Sequence, residues 1–324
     1  MISDQRPTVW QPRATKQMLA LRARLLQQIR TFMAERSILE VETPILSSAG
    51  TTDPNIQSLS TWLELPDRSE RDLLYLHTSP EFAMKRLLAA DVGPIYQICK
   101  VFRNDEAGKL HQPEFSMLEW YRPGFDHHQL MDELETLLQT LQFARCVRLS
   151  YAEVFQNNLG INPHAAQITV LQEFATARGL NTETQDRSLL LDFLFSHAVA
   201  VTLGNEQPLF VYDYPACQAA LARIRQAEQP LAERFELFIS GIEIANGYNE
   251  LCDSIEQNSR FESDNLQRKR AGLAMIRTDE NLIAALQHGL PACAGVAVGL
   301  DRLLMAISGS KAIQDVLAFL PGRA

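Results

Sequence analysis

The chain has 324 residues and a formal net charge of -9, with 46% apolar and 21% charged residues. This length allows one large domain or two ordinary ones, and the composition is typical of a globular enzyme. The negative charge gives no sign of a broad nucleic-acid-binding surface, and no run of about 18 apolar residues predicts a membrane span.

The cysteines and the N-terminal residues indicate the cellular compartment in which the protein acts. The five cysteines are scattered and show no CxxC spacing, so neither a disulfide framework nor a structural zinc site is expected. The first residues, MISDQRPTVWQPRATKQ, contain no apolar segment of the kind found in signal peptides. These features predict a cytoplasmic protein.

The first regular element is predicted at residues 16–36, where apolar residues recur at helical spacing among Arg, Gln and Glu. The β-rich segment ILEVETPIL follows at residues 38–46 and contains a proline at position 44. A short strand is predicted at residues 73–77, and Ser79-Pro80, with Ser79 as N-cap, is expected to open a helix at Glu81.

Residues 101–121, VFRNDEAGKLHQPEFSMLEWY, read as a hairpin with a long charged loop. An arginine at a strand end opposite an aromatic ring suits a nucleoside triphosphate, because guanidinium matches phosphate oxygens and a ring face can cover a base. The pattern alone is equally typical of a surface hairpin.

The second half of the chain has fewer recognisable patterns. After a helix at residues 129–143, residues 150–232 are predicted to form an insertion or subdomain. Strands are predicted at residues 235–240, 241–251 and 295–298, with a helix at 301–307. Hairpin-connected strands mixed unevenly with helices predict an α+β fold with an antiparallel sheet. The GxGxxG and GxxxxGK[ST] patterns are absent.

Three segments together resemble the ordered motifs of class II aminoacyl-tRNA synthetases, in their lysyl form. ILEVETPIL resembles motif 1, FRND with HQPEF and MLEWY resembles motif 2, and GVAVGLDRLLM at residues 295–305 resembles motif 3. The resemblance implies a single catalytic domain over residues 1–324, with an antiparallel sheet flanked by helices. It also implies a homodimer formed through motif 1.

By that resemblance the chain binds ATP and forms an aminoacyl adenylate. Two anions must then approach each other, which requires fixed positive charge. Arg103 is expected to contact the α-phosphate and Arg302 to lie near the adenine and γ-phosphate, and both are predicted catalytic residues. Phe115 would cover the adenine, and His111 could reach a phosphate. The remaining predicted ATP contacts are Asn104, Asp105, Gln112, Glu243, Ile244 and Gly299.

The family's Mg²⁺ ligands are expected at Glu243 and Glu250. Carboxylates together with phosphate oxygens are the ligands that Mg²⁺ prefers. An odd separation would put the two side chains on opposite faces of a straight strand, so a turn or bulge at Asn246-Gly247 is expected to bring them together.

The amino-acid pocket is expected to hold a diammonium substrate, lysine or β-lysine. Each ammonium group needs a carboxylate or a polar cage once it leaves water. The predicted substrate contacts, by resemblance to lysyl-type enzymes, are Ser79, Pro80, Glu81, Glu119, Tyr121, Glu250 and Ala297.

The helix predicted ahead of motif 1 begins at residue 16, so we expect no anticodon-binding domain to precede it. The chain therefore resembles the lysyl-tRNA synthetase paralogues that modify a lysine of translation elongation factor P. The resemblance implies activation of (R)-β-lysine, transfer to a lysine ε-amine of that factor, and no tRNA substrate. A minimal tRNA-charging enzyme and a non-catalytic regulatory paralogue are the alternatives.

Three departures from the synthetase pattern affect the site. Asp105 replaces a glutamate, Gln112 replaces an asparagine, and Ala297 stands where synthetases typically have glycine. We expect the Ala297 methyl group to favour a β-amino acid over α-lysine, since one methyl in a pocket is worth roughly 1–3 kcal/mol.

Overall fold

The computed structural model describes residues 10–66, 71–104, 106–181 and 184–320. Asp105, a predicted ATP contact, lies outside these residues. The helices of the described residues are α1 Lys16–Glu35, α2 Glu81–Ala89, α3 His127–Thr140, α4 Tyr151–Leu159, α5 Ile168–Thr176, α6 Arg187–Leu194, α7 Ser254–Arg270, α8 Glu280–Gly289 and α9 Leu300–Ser308.

The strands of the same residues form two sheets. They are β1 Leu39–Glu40, β2 Leu46–Ser47, β3 Ser60–Leu63, β4 Asp72–Leu76, β5 Ile95–Phe102, β6 Glu114–Pro123, β7 Val147–Ser150, β8 Leu209–Pro215, β9 Ile224–Arg225, β10 Leu231–Ile239, β11 Ile242–Asn249 and β12 Cys293–Gly299. The small sheet has the order β2-β4-β3, and the large one β1-β5-β6-β12-β11-β10-β8-β7 with β9 beside β10.

The large sheet is antiparallel from β5 to β8, and only its edge strands β1 and β7 run parallel to their neighbours. The predicted α+β fold with an antiparallel sheet flanked by helices is confirmed. The hairpin prediction is also confirmed, because β5 and β6 pair from Ile95↔Tyr121 to Phe102↔Glu114.

Side chains of the large sheet alternate between an apolar core and a cavity, as the two-residue period of a strand requires. On β6, Leu118 and Trp120 are fully buried in the main core, which also contains side chains of α1, α3 and α9. Their neighbours Phe115, Met117 and Glu119 line the cavity instead. One strand therefore supplies both the core and the site.

Two smaller cores support the rest of the molecule. Helices α4, α5 and α6 bury side chains such as Phe155 and Leu191 against Val211 of β8. This places the helical part of residues 150–232 beside the large sheet, while β8 of the same region pairs with β10 inside it. In the other core, Met84 and Leu88 of α2 pack with side chains of α7 and α8.

Some helix boundaries differ from the predicted ones. Helix α3 begins at His127 rather than at position 129, because Asp126 and Gln129 form a capping box that closes the first turn. The N-cap of α2 is Pro80 rather than Ser79, but the Ser79 hydroxyl still accepts a hydrogen bond from the Glu81 N–H at 3.0 Å.

Asp301 connects three elements. It is buried at the start of α9, where its carboxylate accepts a hydrogen bond from the Ser116 N–H of β6 at 2.7 Å and pairs with Arg22 of α1. Because these partners belong to the long N-terminal helix and to the central sheet, Asp301 fixes α9 against both.

The close approach of β10 to β11 gives a stability prediction. A methyl group on Gly247 would lie 2.4 Å from the Phe235 ring, and Phe235 is fully buried. We expect Gly247→Ala to lower the free energy of unfolding by about 1–3 kcal/mol, measured by urea denaturation. Gly108→Ala is the matched control, since its added methyl meets no atom within 4 Å. Equal stability of the two variants would contradict the packing described.

Candidate active site

A cavity of about 1720 Å³ lies on the side-chain face of the large sheet that is turned away from the main core. Its floor is β12, whose residues Gly295, Ala297 and Gly299 point into it while Val296 and Val298 are buried in the core. Such small residues leave space between the longer side chains of β6 and β11 on either side.

Most of the predicted site residues line this one cavity. They are Ser79, Pro80, Glu81, Arg103, His111, Gln112, Phe115, Glu119, Tyr121, Glu243, Ile244, Glu250, Ala297, Gly299 and Arg302. Asn104 is not among them. It is exposed, and its N–H donates to the Gln57 carbonyl at 2.7 Å, so the backbone at this position pairs with a neighbouring loop.

One end of the cavity carries positive charge beside an aromatic ring. The Arg103 guanidinium lies 5.2 Å from the centre of the Phe115 ring, and its buried Nε has no hydrogen-bond partner. The guanidinium also lies 3.8 Å from the Glu106 carboxylate. A buried donor without a partner is costly, so Arg103 retains capacity to bind an anion there.

Arg302 of α9 holds the loop between β5 and β6. Its Nε donates to the Leu110 carbonyl at 3.3 Å, and its Nη2 lies 2.6 Å from Nε2 of His111. Its Nη1 donates to the Glu243 carbonyl at 3.0 Å. Burial and then the Arg302 charge lower the pKa of His111, which favours a neutral imidazole as the acceptor in this contact.

The other end of the cavity is acidic and buried. Glu119 accepts hydrogen bonds from the Ser79 hydroxyl at 2.7 Å and the Tyr121 hydroxyl at 2.6 Å. Burial, and then the charge of Glu81, raise the pKa of Glu119 to about 7, against the lowering effect of its hydrogen bonds. An ammonium ion entering here would find a carboxylate already held in place.

Two further glutamates meet at one lysine that the sequence analysis missed. The Lys85 ammonium lies 2.6 Å from Glu81 Oε1 and 2.6 Å from Glu250 Oε2. Burial alone would lower the pKa of Lys85, but the charges of Glu250 and Glu81 outweigh burial and raise it. The spacing of Glu81 and Lys85, four residues on one helix, was the available sequence signal.

The expectation that Glu243 and Glu250 share one metal ion is wrong. Strand β11 continues through Asn246-Gly247 with partners on both sides, and the extra residue of its bulge is Ile244. At about 3.3 Å per residue, the two glutamates lie roughly 20 Å apart along the strand. Glu250 pairs with Lys85 instead.

The second carboxylate near Glu243 is Glu236 of β10, also missed by the sequence analysis. Burial raises its pKa to about 7, while the Arg234 charge lowers it and the Glu243 charge raises it. Beside it, the buried Asn246 Oδ1 has no hydrogen-bond partner. Near Arg302, the side chains of Glu236, Glu243 and Asn246 therefore supply three groups with oxygen donors. Hard cations such as Mg²⁺ prefer oxygen donors.

Sequence comparisons identify the family of this chain. A family model described as tRNA synthetases class II (D, K and N) matches residues 4–321, and the chain belongs to this family. Similar curated proteins include those named elongation factor P–(R)-β-lysine ligase. The protein from Avibacterium paragallinarum is 49% identical over 96% of this chain and 97% of its own. That from Vibrio cholerae serotype O1 shows the same identity and the same coverage of both chains.

Within the described residues, no helix is both long enough and apolar enough to span a membrane. All five cysteines are free thiols.

The raised pKa of Glu119 predicts a pH-dependent affinity for lysine or β-lysine. An ammonium ion binds the ionised carboxylate, and a group with a pKa of about 7 is mostly protonated at pH 6. We therefore expect the association constant, measured by calorimetry, to be about tenfold greater at pH 8 than at pH 6.

Two variants of the same strand test this assignment. Glu119→Gln should bind weakly and lose the part of the pH dependence that is centred near pH 7, leaving only the part due to Glu250, whose pKa burial raises to about 8. Glu114→Gln should retain the whole dependence because Glu114 is exposed outside the cavity. If the part centred near pH 7 persists in Glu119→Gln, that titration belongs to another group.

Proposed function

We propose that this protein is an ATP-dependent ligase that activates (R)-β-lysine or lysine and transfers the acyl group to a lysine ε-amine of translation elongation factor P. The observation that carries the proposal is the chemistry of the β5–β6 hairpin. Arg103, which follows β5, and Phe115 would form an anion- and base-binding end, and Glu119 with Tyr121 forms a buried acidic end of the same cavity.

The first step joins the two ends. The substrate carboxylate attacks the α-phosphate of ATP, the bond to the β-phosphate oxygen breaks, and pyrophosphate leaves. In this proposal Arg103 neutralises charge on the α-phosphate, and Phe115 stacks on the adenine. The ammonium groups of the amino acid remain at Glu81, Glu119 and Glu250, which keeps its carboxylate directed toward the nucleotide.

The second step is an acyl transfer. The unprotonated ε-amine of the acceptor lysine attacks the acyl carbon of the adenylate, an amide bond forms, and AMP leaves with its phosphate oxygen. The acceptor protein is inferred from the curated relatives, whose names specify elongation factor P and whose lengths this chain covers to 97%. tRNA is not an expected acceptor.

We further propose that Mg²⁺ bound to the ATP phosphates is held by Glu243, with Glu236 and the Asn246 amide oxygen close to it. Their oxygen donors fit a hard cation, and the Asn246 oxygen lacks a protein partner. When bound, the ion neutralises phosphate charge during displacement of pyrophosphate. We also propose that the protein acts in the cytoplasm and forms a homodimer through motif 1, at residues 38–46, together with helix α1 that precedes it.

The proposed function is tested by incubating the protein with ATP, Mg²⁺ and (R)-β-lysine, with elongation factor P or bulk tRNA as acceptor. We expect the mass of the factor to increase by one β-lysyl group and tRNA to remain uncharged. Charging of tRNA alone would indicate a minimal synthetase, and no pyrophosphate release with any amino acid would indicate a non-catalytic paralogue.

Arg103→Ala tests the nucleotide end. Loss of the guanidinium should reduce adenylate formation by at least about 100-fold, because it removes stabilisation of charge that develops in the transition state. Arg145→Ala is a suitable control, since Arg145 is exposed and lies outside the cavity. Full activity of Arg103→Ala would refute its catalytic role.

Ala297 tests the discrimination between β- and α-lysine. The residue lies on the cavity floor between Glu119 of β6 and Asn246 of β11. We expect Ala297→Gly to shift the ratio of kcat/KM for β-lysine over α-lysine toward α-lysine by roughly tenfold or more. The KM for ATP serves as the internal control and should stay constant, whereas an unchanged ratio would remove Ala297 from the specificity determinants.

A further inference from the structure

Lys85 occupies an unusual place for a lysine. It lies on α2 with 1% of its side chain exposed, whereas lysines are almost never fully buried unless they are paired. Its partners, Glu81 and Glu250, are both expected substrate contacts and come from elements far apart in the sequence. The ammonium group is therefore part of the pocket wall.

The charges of the pocket do not balance without a ligand. Three carboxylates, Glu81, Glu119 and Glu250, face one ammonium group, that of Lys85. Other titratable groups nearby do not correct this imbalance, because burial raises the pKa of Cys252, Cys293, Tyr121 and Tyr248 and keeps them neutral. With every acid ionised, the pocket carries two uncompensated negative charges.

The two contacts of Lys85 are not equivalent. Its Nζ donates a directed hydrogen bond to Glu81 Oε1. The contact with Glu250 is an ion pair, and Glu250 Oε2 lacks a hydrogen bond of good geometry although Glu250 is 2% exposed. A carboxylate has about four acceptor sites, and one ion pair does not occupy them all, so Glu250 is held in place with capacity for a donor from a ligand.

The opposite side of Glu250 is closed by the floor strand. A methyl group on Gly295 would lie 2.6 Å from Glu250 Oε1 and 2.3 Å from the Tyr121 ring. Glu250 thus sits between the backbone of Gly295 and the ammonium group of Lys85. This arrangement restricts where its carboxylate can move when the pocket is empty.

We propose that Lys85 is a positioning residue that sets the charge of the amino-acid pocket: it compensates one of three buried carboxylates and leaves two for a substrate with two ammonium groups. This inference rests on the proposed function. A substrate with one ammonium would leave a buried carboxylate unpaired, and burying an unpaired charge opposes binding. Lys85 thereby selects against ordinary monoamino acids without touching the reacting atoms.

The first test compares Lys85→Met with Lys85→Arg in amino-acid-dependent pyrophosphate exchange. Lys85→Met should raise the KM for β-lysine by about 100-fold or more at pH 7, with the KM for ATP nearly unchanged, because three carboxylates then repel one another and bind protons. The pH at which affinity rises should move upward in this variant. Lys85→Arg should keep the wild-type pH midpoint, and Lys269→Met, at an exposed lysine of α7, serves as a control.

The second test restores the charge count and remains informative if Lys85→Met folds poorly. Compared with the wild-type pocket, the double variant Lys85→Met with Glu81→Gln lacks one ammonium group and one carboxylate. The two remaining carboxylates, Glu119 and Glu250, then face the two ammonium groups of β-lysine. We expect the double variant to bind β-lysine at least about tenfold more tightly than Lys85→Met alone, although it has lost an expected substrate contact.

A purely structural role for Lys85 predicts a further loss of affinity in the double variant and an unshifted pH midpoint, and either result would overturn the inference. An unchanged KM for β-lysine in folded Lys85→Met would overturn it as well. Failure of the proposed function gives a different result, because the wild-type protein would then release no pyrophosphate with any diamino acid. That result would also contradict the inference about Lys85.

Discussion

The small size of the residues that strand β12 turns toward the cavity is the constraint on which the site depends. The strand lies between β6 and β11, and it lines the cavity with the small residues Gly295, Ala297 and Gly299. The opposite face of the same strand is packed with Ala294, Val296 and Val298. Small residues on one face and core residues on the other let a rigid central strand form a floor without filling the space above it.

The acidic end of the cavity is built at a cost in stability. Burial raises the pKa of Glu119 and Glu250, which means that the fold resists their ionised forms. Hydrogen bonds from Ser79 and Tyr121 and the charge of Lys85 offset part of this cost. The ionised carboxylates destabilise the folded protein while the pocket is empty, and they become favourable once a cation pairs with them. The fold is therefore less stable than it could be, and in return the pocket recognises a cation.

Local patterns in the sequence were sufficient to predict the hairpin, whereas its expected chemistry depended on the resemblance to a known family. Arg103 and Phe115 could be paired because they lie near the same end of two adjacent strands, and their apolar flanks have a clear two-residue period. The predicted fold class followed from hairpin-connected strands in the same way.

Contacts between distant segments could not be predicted in this manner. The ion pair between Lys85 and Glu250 joins a helix to a strand end 165 residues later, and no spacing rule relates them. The bulge at Ile244 was expected at Asn246-Gly247, because turn-forming residues mark where a chain can bend but not where a neighbouring strand shifts its register. Glu236 was missed because its partner acid lies across that bulge.

The hydrogen bonds of Arg302 couple the proposed nucleotide contact to the loop between β5 and β6. Its guanidinium donates to the Leu110 carbonyl and contacts the His111 imidazole. The arginine that is expected to contact ATP therefore also holds the loop between β5 and β6 in place. A planar guanidinium has five N–H donors in fixed directions. Leu110 and His111 engage two of these donors, so a phosphate oxygen that takes either of the two displaces an acceptor of the loop. The energy of the nucleotide contact is consequently reduced by the energy of the loop contacts that it replaces.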